Sequence, residues 1–163
     1  MNLILRSILS ALILPFNVVV VVPAVLLILF NDITAVQSKT ELILKLISVP
    51  FFLTGILLLT NTVYLFYKKG KGTLAPWDQT TTLVTDGPYN RVRNPMISAV
   101  FFLLIAEVLF FRSVPLIIWS ALFITINMIY MPLVEEPRLE NRFGEQYRDY
   151  KQRVPRWFPK LFS

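Results

Sequence analysis

The groups able to do chemistry in this chain are few. Neither cysteine nor histidine occurs among its 163 residues, which removes thiolate and imidazole nucleophiles, bases and metal ligands. Carboxylates, guanidinium and ammonium groups, carboxamides and hydroxyls remain. Two polar clusters concentrate them: Arg91, Arg93 and Asn94 precede one apolar stretch, and Glu135 and Glu136 follow the next. If those stretches form antiparallel helices of similar length, the two clusters return to the same level. Cations and carboxylates then line one pocket mouth, suited to a ligand that carries both a carboxylate and an ammonium.

The elements that must position these groups are apolar. Stretches at 8–30, 46–67, 96–111 and 114–134 are nearly free of charge, Glu107 being the one acid within them. A spanning helix needs about 20 apolar residues, so the first, second and fourth qualify and the third is short. Overall, 55% of residues are apolar and 16% charged, with mean hydropathy +0.62. Soluble domains carry about 25% charged residues. The net charge of +6 is therefore read as attraction to an anionic lipid surface, with no nucleic-acid partner. The Val18-to-Val22 run reads as helix because the apolar stretch around it is long. Pro15 and Pro23 are expected to kink it, with neighbouring helices satisfying the freed carbonyls. The stretch exceeds the roughly 7–15 residues of a signal-peptide core, so no cleavable leader is expected.

Charge sets the orientation. Arg6, five basic residues in 68–94 and seven in 135–163 make thirteen on one side, against Lys39, Lys45 and Arg112 on the other. The positive-inside rule then places both termini in the cytoplasm, across four spans. The chain reads as a single domain, 1–163: N-terminal spans to 67, a cytoplasmic loop 68–94, a helical hairpin 95–134 and a tail 135–163. The loop carries turn signals at Gly70-Lys-Gly72, Ala75-Pro76 and Asp86-Gly87-Pro88, and loops of that length are often functional. In the tail, Leu139, Phe143, Tyr147 and Tyr150 recur at helical spacing between charged residues, which predicts an amphipathic helix that Pro155 and Pro159 stop. The fold class expected is thus an all-α integral membrane protein.

The motifs carry a resemblance. Gly87-Pro-Tyr-Asn-Arg-Val-Arg-Asn-Pro-Met96, followed by Glu135-Glu136-Pro137 and Phe143-Gly-Glu-Gln-Tyr-Arg-Asp-Tyr-Lys-Gln-Arg-Val-Pro155, resembles the signature of the isoprenylcysteine carboxyl methyltransferase family. The Asn-Pro-Met and Glu-Glu-Pro elements also occur in phosphatidylethanolamine N-methyltransferases. The match spans roughly 72–159; the first 65 or so residues match only as generic spans. The resemblance implies a membrane enzyme that uses S-adenosylmethionine, without a dinucleotide-binding sheet, and a lipophilic methyl acceptor reached from the membrane. A prokaryotic plasma membrane with the site facing the cytoplasm is expected. Position by position, it nominates Gly87, Tyr89, Arg91, Arg93, Asn94, Pro95, Glu135, Glu136, Tyr147, Tyr150 and Arg153 for the cofactor, with Asn94 and Glu136 as catalytic residues. An arginine would hold the cofactor's carboxylate and a glutamate its ammonium or ribose hydroxyls, while Trp157 and Phe158 exclude water.

Two departures matter. Many relatives have histidine where Asn94 stands, and commonly tyrosine where Ile97 stands; asparagine cannot shuttle protons. A carboxylate acceptor needs no base, whereas an ammonium or phenol would turn to Glu135 or Glu136. Plainer readings stand beside these. Glu107 lies near enough to Arg112 to snorkel, Asn127 serves as interhelical glue, and Gly70 and Gly72 are turn residues. Lys68, Lys69 and Lys71 contact headgroups. Two other functional classes fit the same spans: a related membrane reductase using NADPH, since sterol reductases share the hairpin architecture, and a four-span transporter.

Overall fold

The computed structural model describes residues 13–30, 40–69 and 82–159. Arg6, Lys39, Gly70-Lys-Gly72, Ala75-Pro76 and Lys160 lie outside them. Every described element is helical: α1 Ile13–Phe30, α2 Glu41–Lys69, a short 3-10 turn Gly87–Asn90, α3 Pro95–Phe111 and α4 Val114–Tyr130. A wide turn at Met131–Glu135 carries α4 without interruption into α5, Glu136–Phe143, and α6 follows at Glu145–Arg153. Three helices are long and apolar enough to cross a membrane. The protein is an all-α membrane protein. Helix α3, at 17 residues, reaches about 25 Å at 1.5 Å per residue, the lower edge of what a span requires.

Helices α2 and α3 make the tightest pair. Ala99, Leu103, Leu104 and Ala106 of α3 are buried. A Cβ added to Gly55 would lie 2.7 Å from Leu103 Cγ and 3.1 Å from the Ala99 carbonyl. Small residues on both helices let the backbones approach, which is how helices associate where burial of apolar surface gives no drive. Elsewhere α1, α2 and α4 expose leucine, isoleucine and phenylalanine outward, the surface a lipid solvent accepts.

The two ends of the bundle differ. At one, Glu41 at the start of α2 pairs with Lys45 at 2.7 Å and with Arg112 at 3.0 Å. Arg112 closes the α3–α4 hairpin in a left-handed conformation, φ 53°. Lys45 and Arg112 therefore share an end, as the charge count expects. At the other end, Gly87 (φ 59°) sits so close to α2 that a Cβ would meet Leu65 Cδ1 at 2.8 Å.

Pro23 explains an unusual bond. The N–H of Val22 reaches back five residues to the Asn17 carbonyl, so the next donor due, for Val18, would be that of Pro23, which has none. The Trp119 indole of α4 donates to the stranded Val18 carbonyl at 3.0 Å. A neighbouring helix thus satisfies what proline removed, as lipid surroundings demand.

Three expectations need correction. The amphipathic tail is two helices, because Gly144 takes φ 56°, ψ −129°, a region open essentially to glycine. Among the described residues Asn127 bonds within its own helix, its Nδ2 donating to the Phe123 carbonyl one turn back, at 2.9 Å. Glu107 does not snorkel with both oxygens, since its Oε2 is buried without a partner among the described residues.

Candidate active site at the membrane end of the hairpin

The hairpin brings the two polar clusters together. Asn94 precedes Pro95, which favours extended backbone before the helix, and its carbonyl accepts from both N–H and Oγ of Ser98 at 3.0 Å. Its carboxamide does not cap α3; Nδ2 is buried with no partner among the described residues. Next to it, Arg93 reaches Glu136 Oε1 through Nη2 at 3.3 Å. The Arg93 side chain is 9% exposed, yet its Nε and Nη1 have no partner among the described residues.

Glu136 is the most deeply buried charge described, at 1% exposure. Arg156 grips it with a two-pronged fork, Nε to Oε1 at 2.5 Å and Nη2 to Oε2 at 2.9 Å. Lys151 stands 3.9 Å from Oε2. The hydrogen bonds of Arg156 to Glu136 raise the pKa of its guanidinium. Glu135, one residue earlier, is half-buried and makes no hydrogen bond or ion pair among the described residues. Adjacent residues on a helix point about 100° apart, so only one of the two glutamates can face inward.

The tail packs over this arrangement. Tyr147, Tyr150 and Val154 form a buried cluster with Leu83, Leu139 and Phe143. The Tyr150 hydroxyl donates to the Tyr89 carbonyl at 2.6 Å, and the Arg93 N–H to the Pro155 carbonyl at 2.9 Å. The Trp157 ring lies 5.3 Å from that of Phe101 on α3, whereas Phe158 is exposed. Burial raises the pKa of all three phenols: Tyr89 well above the usual range, Tyr150 upward, and Tyr147 to about 12 with help from Glu136. Near neutral pH they are protonated donors, and none is a phenolate base.

Of the nominated residues, the structure gathers Tyr89, Arg93, Asn94, Pro95, Glu135, Glu136, Tyr147 and Tyr150 around this end of the hairpin. Gly87 sits in the adjoining turn. Arg91 is exposed, and Arg153 is exposed with Nε donating to the Asp149 carbonyl at 3.3 Å. Sequence reasoning missed Arg156 and Lys151. The cue for Arg156 was its place directly after Val154-Pro155, which ends the helix and sends the chain back across Arg93.

The residues fit a zwitterionic cofactor end. Among the described residues, buried donors on Arg93 and Asn94 have no acceptor and Glu135 has no cation partner. No curated protein matches the chain at a significant level. A family model does: that of the phospholipid methyltransferases, over residues 43–146. Its extent takes in the α2–α3 pair, the Gly87–Asn94 approach, the hairpin and both glutamates, and it stops just short of Tyr147. With that match over most of its length, the chain belongs to the phospholipid methyltransferase family, a family of membrane methyltransferases.

Proposed function

We propose that this chain transfers a methyl group from S-adenosylmethionine to a lipophilic acceptor, at the membrane end where Glu136 is buried. The observation that carries the reading is the set of unpartnered buried donors on Arg93 and Asn94 beside a charge-saturated Glu136. When bound, the cofactor supplies a methyl already activated on a sulfonium, so positioning can provide much of the rate. Arg93 and Asn94 hold its carboxylate, and Glu135 takes its ammonium. Tyr89, Tyr147 and Tyr150 wall the site as neutral phenols, and Trp157 keeps water from it. By the positive-inside rule this end faces the cytoplasm of a prokaryotic plasma membrane, and the acceptor enters sideways from the inner leaflet.

Two acceptor classes suit this site. The motif resemblance favours a carboxyl group, as in the isoprenylcysteine enzymes, and needs no base. Family membership favours a phospholipid amine, whose proton must leave; for that acceptor Glu135 serves as the base in place of holding the cofactor's ammonium. The test is transfer of radiolabelled methyl from S-adenosylmethionine into native lipid extract by purified protein. Label released as methanol by mild base marks a carboxyl ester, and base-stable label marks an N-methyl product. Protein that binds NADPH but not S-adenosylhomocysteine refutes methyl transfer in favour of a reductase.

A further inference from the structure

We propose that Arg156 is a positioning residue: its fork saturates Glu136 and thereby leaves Arg93, together with Asn94, to bind an oxyanion. The inference rests on the cofactor reading above and divides the paired glutamates between two tasks. Arg156 takes both oxygens of Glu136 at 2.5 and 2.9 Å, in the two-pronged geometry that arginine makes best. Arg93, at 3.3 Å through one nitrogen only, keeps Nε and Nη1 unpartnered in a side chain that is 9% exposed. A buried guanidinium with two unmet donors is costly unless an acceptor arrives. Lys151 adds positive charge nearby but is 41% exposed and screened. The excess charge at this point is therefore cationic, and its complement is a carboxylate or a phosphate.

Arg156 is well fixed for this role. The carbonyl of Pro155 accepts from the Arg93 backbone, and Trp157 packs on Phe101. It also lies beyond the stretch that the family model covers, so the tail of this chain completes the site. Glu136 then orders Arg93 from beneath, while Glu135, without an ion pair, meets the ligand's cation.

The test uses the full chain purified in detergent, with two probes. S-adenosylhomocysteine carries the amino-acid end, and 5′-methylthioadenosine lacks it. In Arg156→Gln, Glu136 claims Arg93, and affinity for S-adenosylhomocysteine should fall about tenfold to a hundredfold with 5′-methylthioadenosine binding unchanged. In the double variant E136Q/R156Q, Arg93 is released and most of the loss should be recovered, which a merely structural role does not predict. If S-adenosylhomocysteine affinity holds while KM for a phospholipid acceptor rises by a similar factor, the oxyanion is the lipid's phosphate and the assignment of Arg156 stands. The proposal is overturned if Arg156→Gln changes neither quantity, or if the double variant binds more weakly than the single one. Should Arg156→Gln lose both probes by misfolding, Arg156→Lys, which keeps the charge without the fork, decides by the same criteria. Wild-type protein that binds neither probe refutes the cofactor reading and this inference with it.

Discussion

Replacing Tyr150 by phenylalanine removes one oxygen and little else. The ring stays packed 6.0 Å from that of Tyr147, and the buried apolar surface is nearly unchanged. What goes is the 2.6 Å bond from the hydroxyl to the Tyr89 carbonyl, between residues only 3% and 7% exposed. A buried acceptor that loses its donor costs about 1–3 kcal/mol. Among the described residues, the Arg93–Pro155 bond and the packing of Leu83 on the Tyr147–Tyr150 cluster are the other links between the tail and this loop. The cost should therefore appear as local opening of the tail, and the spans should stay intact. Converted to an equilibrium, it is about a 5- to 150-fold rise in the open fraction. Hydrogen–deuterium exchange in detergent reads this directly, peptide by peptide. Exchange should accelerate by that factor in 82–94 and 144–157 and stay constant in α2 and α3. Unchanged exchange in both segments, or equal acceleration everywhere, refutes the view that this bond docks the tail.

Gly55→Ala places a methyl 2.7 Å from Leu103 Cγ; the overpacking should destabilise the α2–α3 pair by about 1–3 kcal/mol, seen as a lower unfolding midpoint in detergent. Trp119→Phe strands the Val18 carbonyl at about 0.6–1.7 kcal/mol, the range of interhelical bonds in membranes. Engineered cross-links between α1 and α4 should then form less efficiently, while those between α2 and α3 are unaffected. Tyr147 has its pKa raised from an ordinary 10.0 to about 12, so the folded state holds this proton more tightly than the unfolded one. Its contribution is complete below pH 10 and lost as pH climbs toward 12. Alkaline unfolding of Tyr147→Phe should show a shallower pH dependence in that window.

The spans were legible because lipid leaves a plain mark: long apolar runs with charge at their ends. The nearness of Arg93 to Glu136 was legible too, since a two-residue hairpin turn forces antiparallel return. Gly144 hid within the tail because Leu139, Phe143, Tyr147 and Tyr150 keep their spacing straight through it, and periodicity is blind to one glycine's φ. Arg156 hid for the opposite reason. It lies past Pro155 in irregular chain, where no period relates it to a partner twenty residues earlier. The two glutamates were visible as a pair, but their division was not, because it depends on the rotation at which α5 leaves α4.

That rotation is set by the wide turn at Met131–Glu135. There the Glu136 N–H reaches back five residues to the Met131 carbonyl, next to Pro132, which has no N–H to give. Such a turn amounts to one inserted residue in an ordinary helix, and each residue rotates the chain by about 100°. Without it, Glu135 would point where Glu136 now points. Regularising this turn at constant chain length is thus the change that exchanges the two carboxylates, with the Arg156 fork closing on Glu135, whereas deleting one residue within it removes the bulge and leaves Glu136 in place. The doublet of glutamates gives evolution two settings of one site, and the extra residue is the notch that selects between them.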